Sequence, residues 1–167
     1  MDFKYAGSFF TNGNLVLAGY QKKNNKSFIS GVGGTRIGEE TIYQTGIRET
    51  LEELYDINPS KELVKKVCEV IQPKTVFYND SYASLVYSFE QLEQLLKIVI
   101  DEKNTTSPVY TLLPTNLSEL LLNRLLNTTS EISHLALIPV AEHKVDDAFI
   151  DSGFLSDILL VYTYFHR

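Results

Sequence analysis

Apolar and polar positions along this chain follow two periods, one of strands and one of helices. Residues 14–20 form a short apolar run that predicts a strand. Residues 27–32 predict a second strand running into Gly33-Gly34, after a polar turn over 21–26. The clearest helix is predicted over 41–55, where Thr41 and Gln44 are spaced as a capping box and Pro59 lies just beyond the end. A short helix over 61–70 follows, then strands over 75–78 and 83–89 around an Asn79-Asp80-Ser81 turn. Leucines at helical spacing predict helices over 91–100 and 116–126, with a polar loop over 103–108 between them. Residues 134–140 predict a strand. The last segment, 154–165, is rich in β-formers, yet Phe154, Ile158, Val161, Tyr162 and Phe165 share a helical face, so its type stays open. The mixed order predicts an α/β (α+β) layered domain, with the leucine-rich helices as an insertion between strands.

Composition narrows this picture. A chain of 167 residues suits one domain over 1–167 with a real core, and 21 acidic against 15 basic residues give a net charge of -6. That balance weighs against a surface that grips nucleic-acid phosphates throughout, and it leaves open phosphate binding through a divalent cation. Cys68 is the only cysteine, which excludes an intrachain disulfide and a Cys-rich zinc site. No basic n-region with a long apolar run opens the chain, and no run approaches the roughly 20 residues that span a bilayer. An intracellular, cytoplasmic protein with no membrane partner is the expectation.

The chemistry concentrates in residues 33–56, GGTRIGEETIYQTGIRETLEELYD. On a helix Glu49, Glu52 and Glu53 share one arc, and Ile47, Leu51 and Leu54 face the opposite way, toward a core. Carboxylates crowded at this spacing repel one another unless solvent or divalent cations compensate. Glu40, just ahead of the helix, is placed to fix the Arg48 guanidinium. Gly46 costs about 1 kcal/mol inside a helix relative to alanine, which points to close packing against a strand.

These residues resemble the Nudix box, G-x5-E-x7-R-E-U-x-E-E-x-G-U with U aliphatic. Gly34, Glu40, Arg48, Glu49, Glu52 and Glu53 match at every spacing, a coincidence expected on the order of 10⁻⁵ times in such a chain. Thr50 stands where an aliphatic residue is usual, Tyr55 replaces the closing glycine, and Asp56 replaces the final aliphatic, with Ile57 one place late. Those positions bear on the helix exit and leave the acidic set intact.

The resemblance implies a Nudix-like α/β/α sandwich with a mixed sheet. It also implies a metal-dependent pyrophosphohydrolase that cleaves a nucleoside diphosphate linked to another moiety, with Mg²⁺ or Mn²⁺. Glu49, Glu52 and Glu53 would be metal ligands together with the Gly33 carbonyl, oxygen donors that suit a hard cation. Glu40 and Arg48 would hold those carboxylates in orientation. The general base would be Glu52 or a glutamate from a separate loop, for which Glu131 is the candidate. His134 and Cys68 read as structural, and Asp101 and Glu102 as a solvated helix end. The 91–126 segment reads first as an extension of the core, with closure over a substrate or a homodimer contact as its other uses. The same family also acts on capped RNA and on diphosphoinositol polyphosphates, which call for a basic surface. Only Lys22, Lys23, Lys26, Lys61, Lys65 and Lys66 supply local clusters, so these readings are not favoured. A non-catalytic nucleotide-sensing module is the third reading, and the complete glutamate set argues against it.

Overall fold

The computed structural model of the chain describes residues 2–24, 26–126, 130–140 and 150–167. Its described elements are β1 (Tyr5–Phe10), β2 (Leu15–Lys23), β3 (Lys26–Ser30), β4 (Val32–Thr35), α1 (Ile42–Tyr55), α2 (Lys61–Val70), β5 (Thr75–Asn79), β6 (Tyr82–Tyr87), α3 (Phe89–Asp101), α4 (Leu117–Leu122), β7 (Ile132–Pro139) and α5 (Ser152–Phe165). One sheet runs β4-β1-β6-β5 and the other β3-β2-β7. The first is mixed, because β1 lies parallel to β6 while β4 and β5 run antiparallel to their neighbours.

Strand alternation divides the core between two helical layers. On β1, Phe10 joins the cluster of α1, α2 and α3 while Phe9 joins that of α5. Leu85 and Tyr87 of β6, and Leu17 of β2, point to the first cluster; Val86, Val16 and Ala18 point to the second. The expected mixed-sheet sandwich is therefore the observed one. The leucine-rich segment between β6 and β7 does extend the core: Leu92, Leu95, Leu96, Val99 and Leu120 are fully buried in the first cluster.

Several boundaries moved. Strand β1 was not predicted, because Ala6 to Phe10 are all buried and show no polar alternation. The single strand over 27–32 is two, broken at Gly31, with β3 in one sheet and β4 in the other. Residues 21–23, expected in a turn, continue β2 and pair with β3, and Asn24 follows them at φ 53°. The second leucine-rich helix ends at Leu122, and Leu126 is exposed. The undecided last segment is a helix, with Phe154, Asp157, Ile158 and Val161 as its buried stripe. No helix among the described residues is long and apolar enough to cross a membrane.

Helix α1 is set close to the mixed sheet by Gly46. A methyl group there would lie 2.5 Å from Leu85 Cδ1, inside a fully buried cluster. Gly46→Ala is therefore expected to destabilise by about 1 kcal/mol, since overpacking of 1–3 kcal/mol outweighs the gain in helix propensity. Thermal denaturation would show a melting point lower by about 3 °C.

Candidate functional site

The acidic face of α1 is built by a capped helix laid against β4. Thr41 Oγ1 accepts from the Gln44 N–H, and Gln44 Oε1 accepts from the Thr41 N–H, so the predicted capping box is present. Gly34 leaves the space that the Glu49 carboxylate fills; any Cβ there would overlap it. The Gly33 N–H donates to Glu53 Oε2 at 3.0 Å instead of to β1. In an antiparallel strand a residue's C=O points to the same side as its N–H, so the Gly33 carbonyl shares that side with Glu53.

Arg48, 7% exposed, is the hub. Its Nε donates to Glu40 Oε1 at 2.8 Å and its Nη2 to Glu40 Oε2 at 3.1 Å, the bidentate pairing expected from the sequence. Nη1 donates to Glu49 Oε1 at 2.8 Å and to both Glu52 oxygens at 3.1 Å, and Nη2 reaches the Thr35 carbonyl at 2.7 Å. Burial alone would lower the Arg48 pKa, but bonds to Glu40, Glu49 and Glu52 hold it above its ordinary value. Burial likewise pushes Glu40 up, and Arg48, the Ile37 N–H and the Thr45 hydroxyl outweigh it, so Glu40 stays below the usual carboxylate range.

The other carboxylates are less well compensated. Burial raises Glu49 despite Arg48, with Glu52 and Glu131 adding repulsion. Glu53, 6% exposed, is pushed well up by burial and then by Glu131, with only the Gly33 N–H opposing. Glu131 itself is exposed, immediately before β7. Glu49, Glu52, Glu53 and Glu131 border one cavity of about 260 Å³. As they stand, no three acidic, histidine or cysteine side chains among the described residues converge tightly enough to hold an ion. Arg48 Nη1 occupies the space between Glu49 and Glu52. The donor set nonetheless fits a hard divalent cation: it is all oxygen, half-desolvated, and carries more negative charge than Arg48 offsets.

A larger cavity of about 440 Å³ adjoins this one, with Glu131 lining both. Asp157 of α5, 8% exposed, faces into it. Burial raises the Asp157 carboxyl to about 6, with Asp151 adding to the rise and a bond from Ser84 opposing it. The folded protein thus holds this proton in the interval where the unfolded chain has lost it. Its contribution to stability is present below about pH 4, is lost between about pH 4 and pH 6, and stays lost above. Asp157→Asn is expected to melt higher than the parent at pH 7, with the difference vanishing near pH 4. A lower melting point at pH 7 would contradict this.

The sequence did not single out Asp157 or Arg124. Asp157 had a readable signal, a lone acid within the apolar helical stripe Phe154, Ile158, Val161. Asp56 closes α1 at φ 53°, so the left-handed residue comes one place later than the Nudix pattern sets it, with Ile57 packed behind it. His134 stacks on Tyr20 at 4.1 Å and borders neither of the two cavities. Burial raises the Cys68 thiol to about 11, as befits a small apolar filler. Glu102, at the end of α3, pairs with Lys66 at 2.8 Å.

No family model and no curated protein matches the chain. Among solved structures, the bifunctional NMN adenylyltransferase/ADP ribose pyrophosphatase of Francisella tularensis superposes with a TM-score of 0.51 at 16% identity, over 99% of this chain and 42% of that one. Its complex with AMP and a Mn ion gives 0.52 at 15%, over the same shares. A NUDIX hydrolase from Nitrosomonas europaea aligns over 100% of this chain and 92% of that one, at 14% identity and a TM-score of 0.49. The chain spans less than half the length of the Francisella protein. The likeness is one of fold: this chain shares the fold of the part of the Francisella protein that it covers.

Proposed function

We propose that this chain is a Nudix hydrolase that cleaves a phosphoanhydride bond in a nucleotide or nucleotide conjugate, with Mg²⁺ or Mn²⁺. The observation that carries the reading is the set of five carboxylates around one cavity, Glu49, Glu52, Glu53, Asp56 and Glu131, of which Glu49 and Glu52 share Arg48 as counter-charge. Glu49, Glu52, Glu53 and the Gly33 carbonyl would hold the cation. When bound, such a cation supplies charge neutralisation on the phosphates and a more acidic water.

The chain's own residues do the rest. Arg48 fixes the Glu49 and Glu52 oxygens, and Glu40 fixes Arg48 from the other side. The water oxygen bonds to phosphorus, the P–O bond of the anhydride breaks, and a carboxylate takes the proton. Glu131 is the better placed acceptor, exposed and lining both cavities, with Glu52 the alternative. The remainder of the substrate would lie in the larger cavity. Long anionic substrates such as capped RNA find little support, since Lys66 is engaged with Glu102 and Lys65 lies 3.9 Å from Glu69.

The test is incubation with Mg²⁺ or Mn²⁺ and a panel of nucleotides, nucleotide conjugates, capped RNA and inositol pyrophosphates, with products read by mass spectrometry. Cleavage of a nucleotide conjugate at its anhydride supports the reading. Cleavage confined to capped RNA or inositol pyrophosphates would replace it.

A further inference from the structure

We infer that Arg124 is a positioning residue for the acidic site, tying the end of α1 that carries Glu53 to the start of β7, which directly follows Glu131. The inference rests on the reading of the α1 carboxylates as a cation site. A helix leaves its last carbonyls without intrahelical partners, and a cation there also meets the negative end of the helix dipole. Arg124 meets both demands from a residue some 70 positions away. Its Nη1 donates to the Leu54 carbonyl at 2.5 Å and its Nη2 to the Glu53 carbonyl at 3.1 Å. The same Nη2 donates to the Ile132 carbonyl at 3.0 Å, one residue beyond Glu131.

One guanidinium therefore spans the two backbone segments whose side chains border the acidic cavity, and it borders that cavity itself. It is 9% exposed, and no Asp or Glu side chain lies within salt-bridge distance of it among the described residues. The residue is itself anchored: the Leu125 N–H donates to the Val109 carbonyl at 2.8 Å, and the Tyr110 ring lies 5.9 Å from the guanidinium. This gives the leucine-rich segment a use beyond core extension, since Arg124 directly follows Asn123, the C-cap of α4. A lysine offers one ammonium where the fork spans three carbonyls, so it is not an equivalent replacement.

The probe is Mn²⁺ alone, titrated into the full chain with free Mn²⁺ read by electron paramagnetic resonance. Near-ultraviolet circular dichroism and melting points would be recorded in parallel on parent, Arg124→Met, Arg124→Lys and Glu53→Gln. Arg124→Met is expected to weaken Mn²⁺ binding about 10-fold, the lower end of losses seen when outer partners of metal ligands are removed. Arg124→Lys should fall between it and the parent. A folded Arg124→Met that melts lower yet binds Mn²⁺ as the parent does would overturn the inference, leaving only a structural role. If Arg124→Met does not fold, Arg124→Lys decides, and parent-like affinity there overturns it. A parent that binds no Mn²⁺ saturably would instead sink the cation-site reading, and this inference with it.

Discussion

Glu53→Gln is expected to lower turnover at least ~100-fold while leaving the metal-free protein as stable as the parent at neutral pH, or more so. The loss follows from the proposed role, since even outer partners of metal ligands cost 10–100-fold when removed. The stability result follows from burial. Glu53 is 6% exposed, and its carboxyl titrates well above its ordinary value because burial and Glu131 disfavour the charge. A raised carboxyl contributes stability at low pH that is lost as pH rises above its unfolded value, so at pH 7 Glu53 is a net cost relative to an uncharged isostere. Glutamine keeps the shape, and its Oε1 still accepts from the Gly33 N–H. Steady-state hydrolysis with Mn²⁺ and a melting curve in chelator check the two halves separately. Near-parent turnover, or a melting point lower by several degrees, would contradict the account.

Arg48→Met is expected to be the most destabilising single change at the site. It would leave Glu40, Glu49 and Glu52 facing one another with no cation, and the Thr35 carbonyl without its donor. Breaking a buried ion pair from one side costs about 3–5 kcal/mol, because the remaining charge is left buried and unpaired. The Arg48 side chain is 9% exposed and Glu49 14%, so solvent screens this network weakly. In a chain of this size the loss corresponds to about 10 °C in melting point. Arg48→Lys should recover only part of it, since an ammonium cannot span Glu40 and Glu52 as the fork does. Urea denaturation of the two variants against the parent measures both. A Met variant within 1 kcal/mol of the parent, on the scale of a surface pair, would contradict the buried-hub description.

What the sequence made legible was local, or repeated at a fixed spacing. Helix α1 was readable from its capping box and apolar period, and Glu40 meets Arg48 as the spacing suggested. Gly46 was readable as a close-packing glycine, and Leu85 is the residue it packs on. Strand β1 was hidden because it is central and buried on both faces, so Gly7 and Ser8 gave no alternation to read. The break at Gly31 was hidden because pairing with different strands, not composition, separates β3 from β4. Arg124 left no signal at all: its partners are backbone carbonyls of residues 53, 54 and 132, which any side chain there would present. Glu131 was nameable only through the family likeness, and its repulsion of Glu49 and Glu53 is a product of the fold.

The most direct test of the central claim is hydrolysis of a nucleoside diphosphate conjugate in H₂¹⁸O with Mn²⁺, comparing the parent with Glu53→Gln by mass spectrometry. The account predicts two phosphate-bearing products from the parent, with one ¹⁸O atom incorporated at a phosphorus of one of them. It also predicts no comparable cleavage by Glu53→Gln or in the presence of chelator. Parent-like cleavage by Glu53→Gln, or label appearing on a carbon of the conjugate, would contradict it.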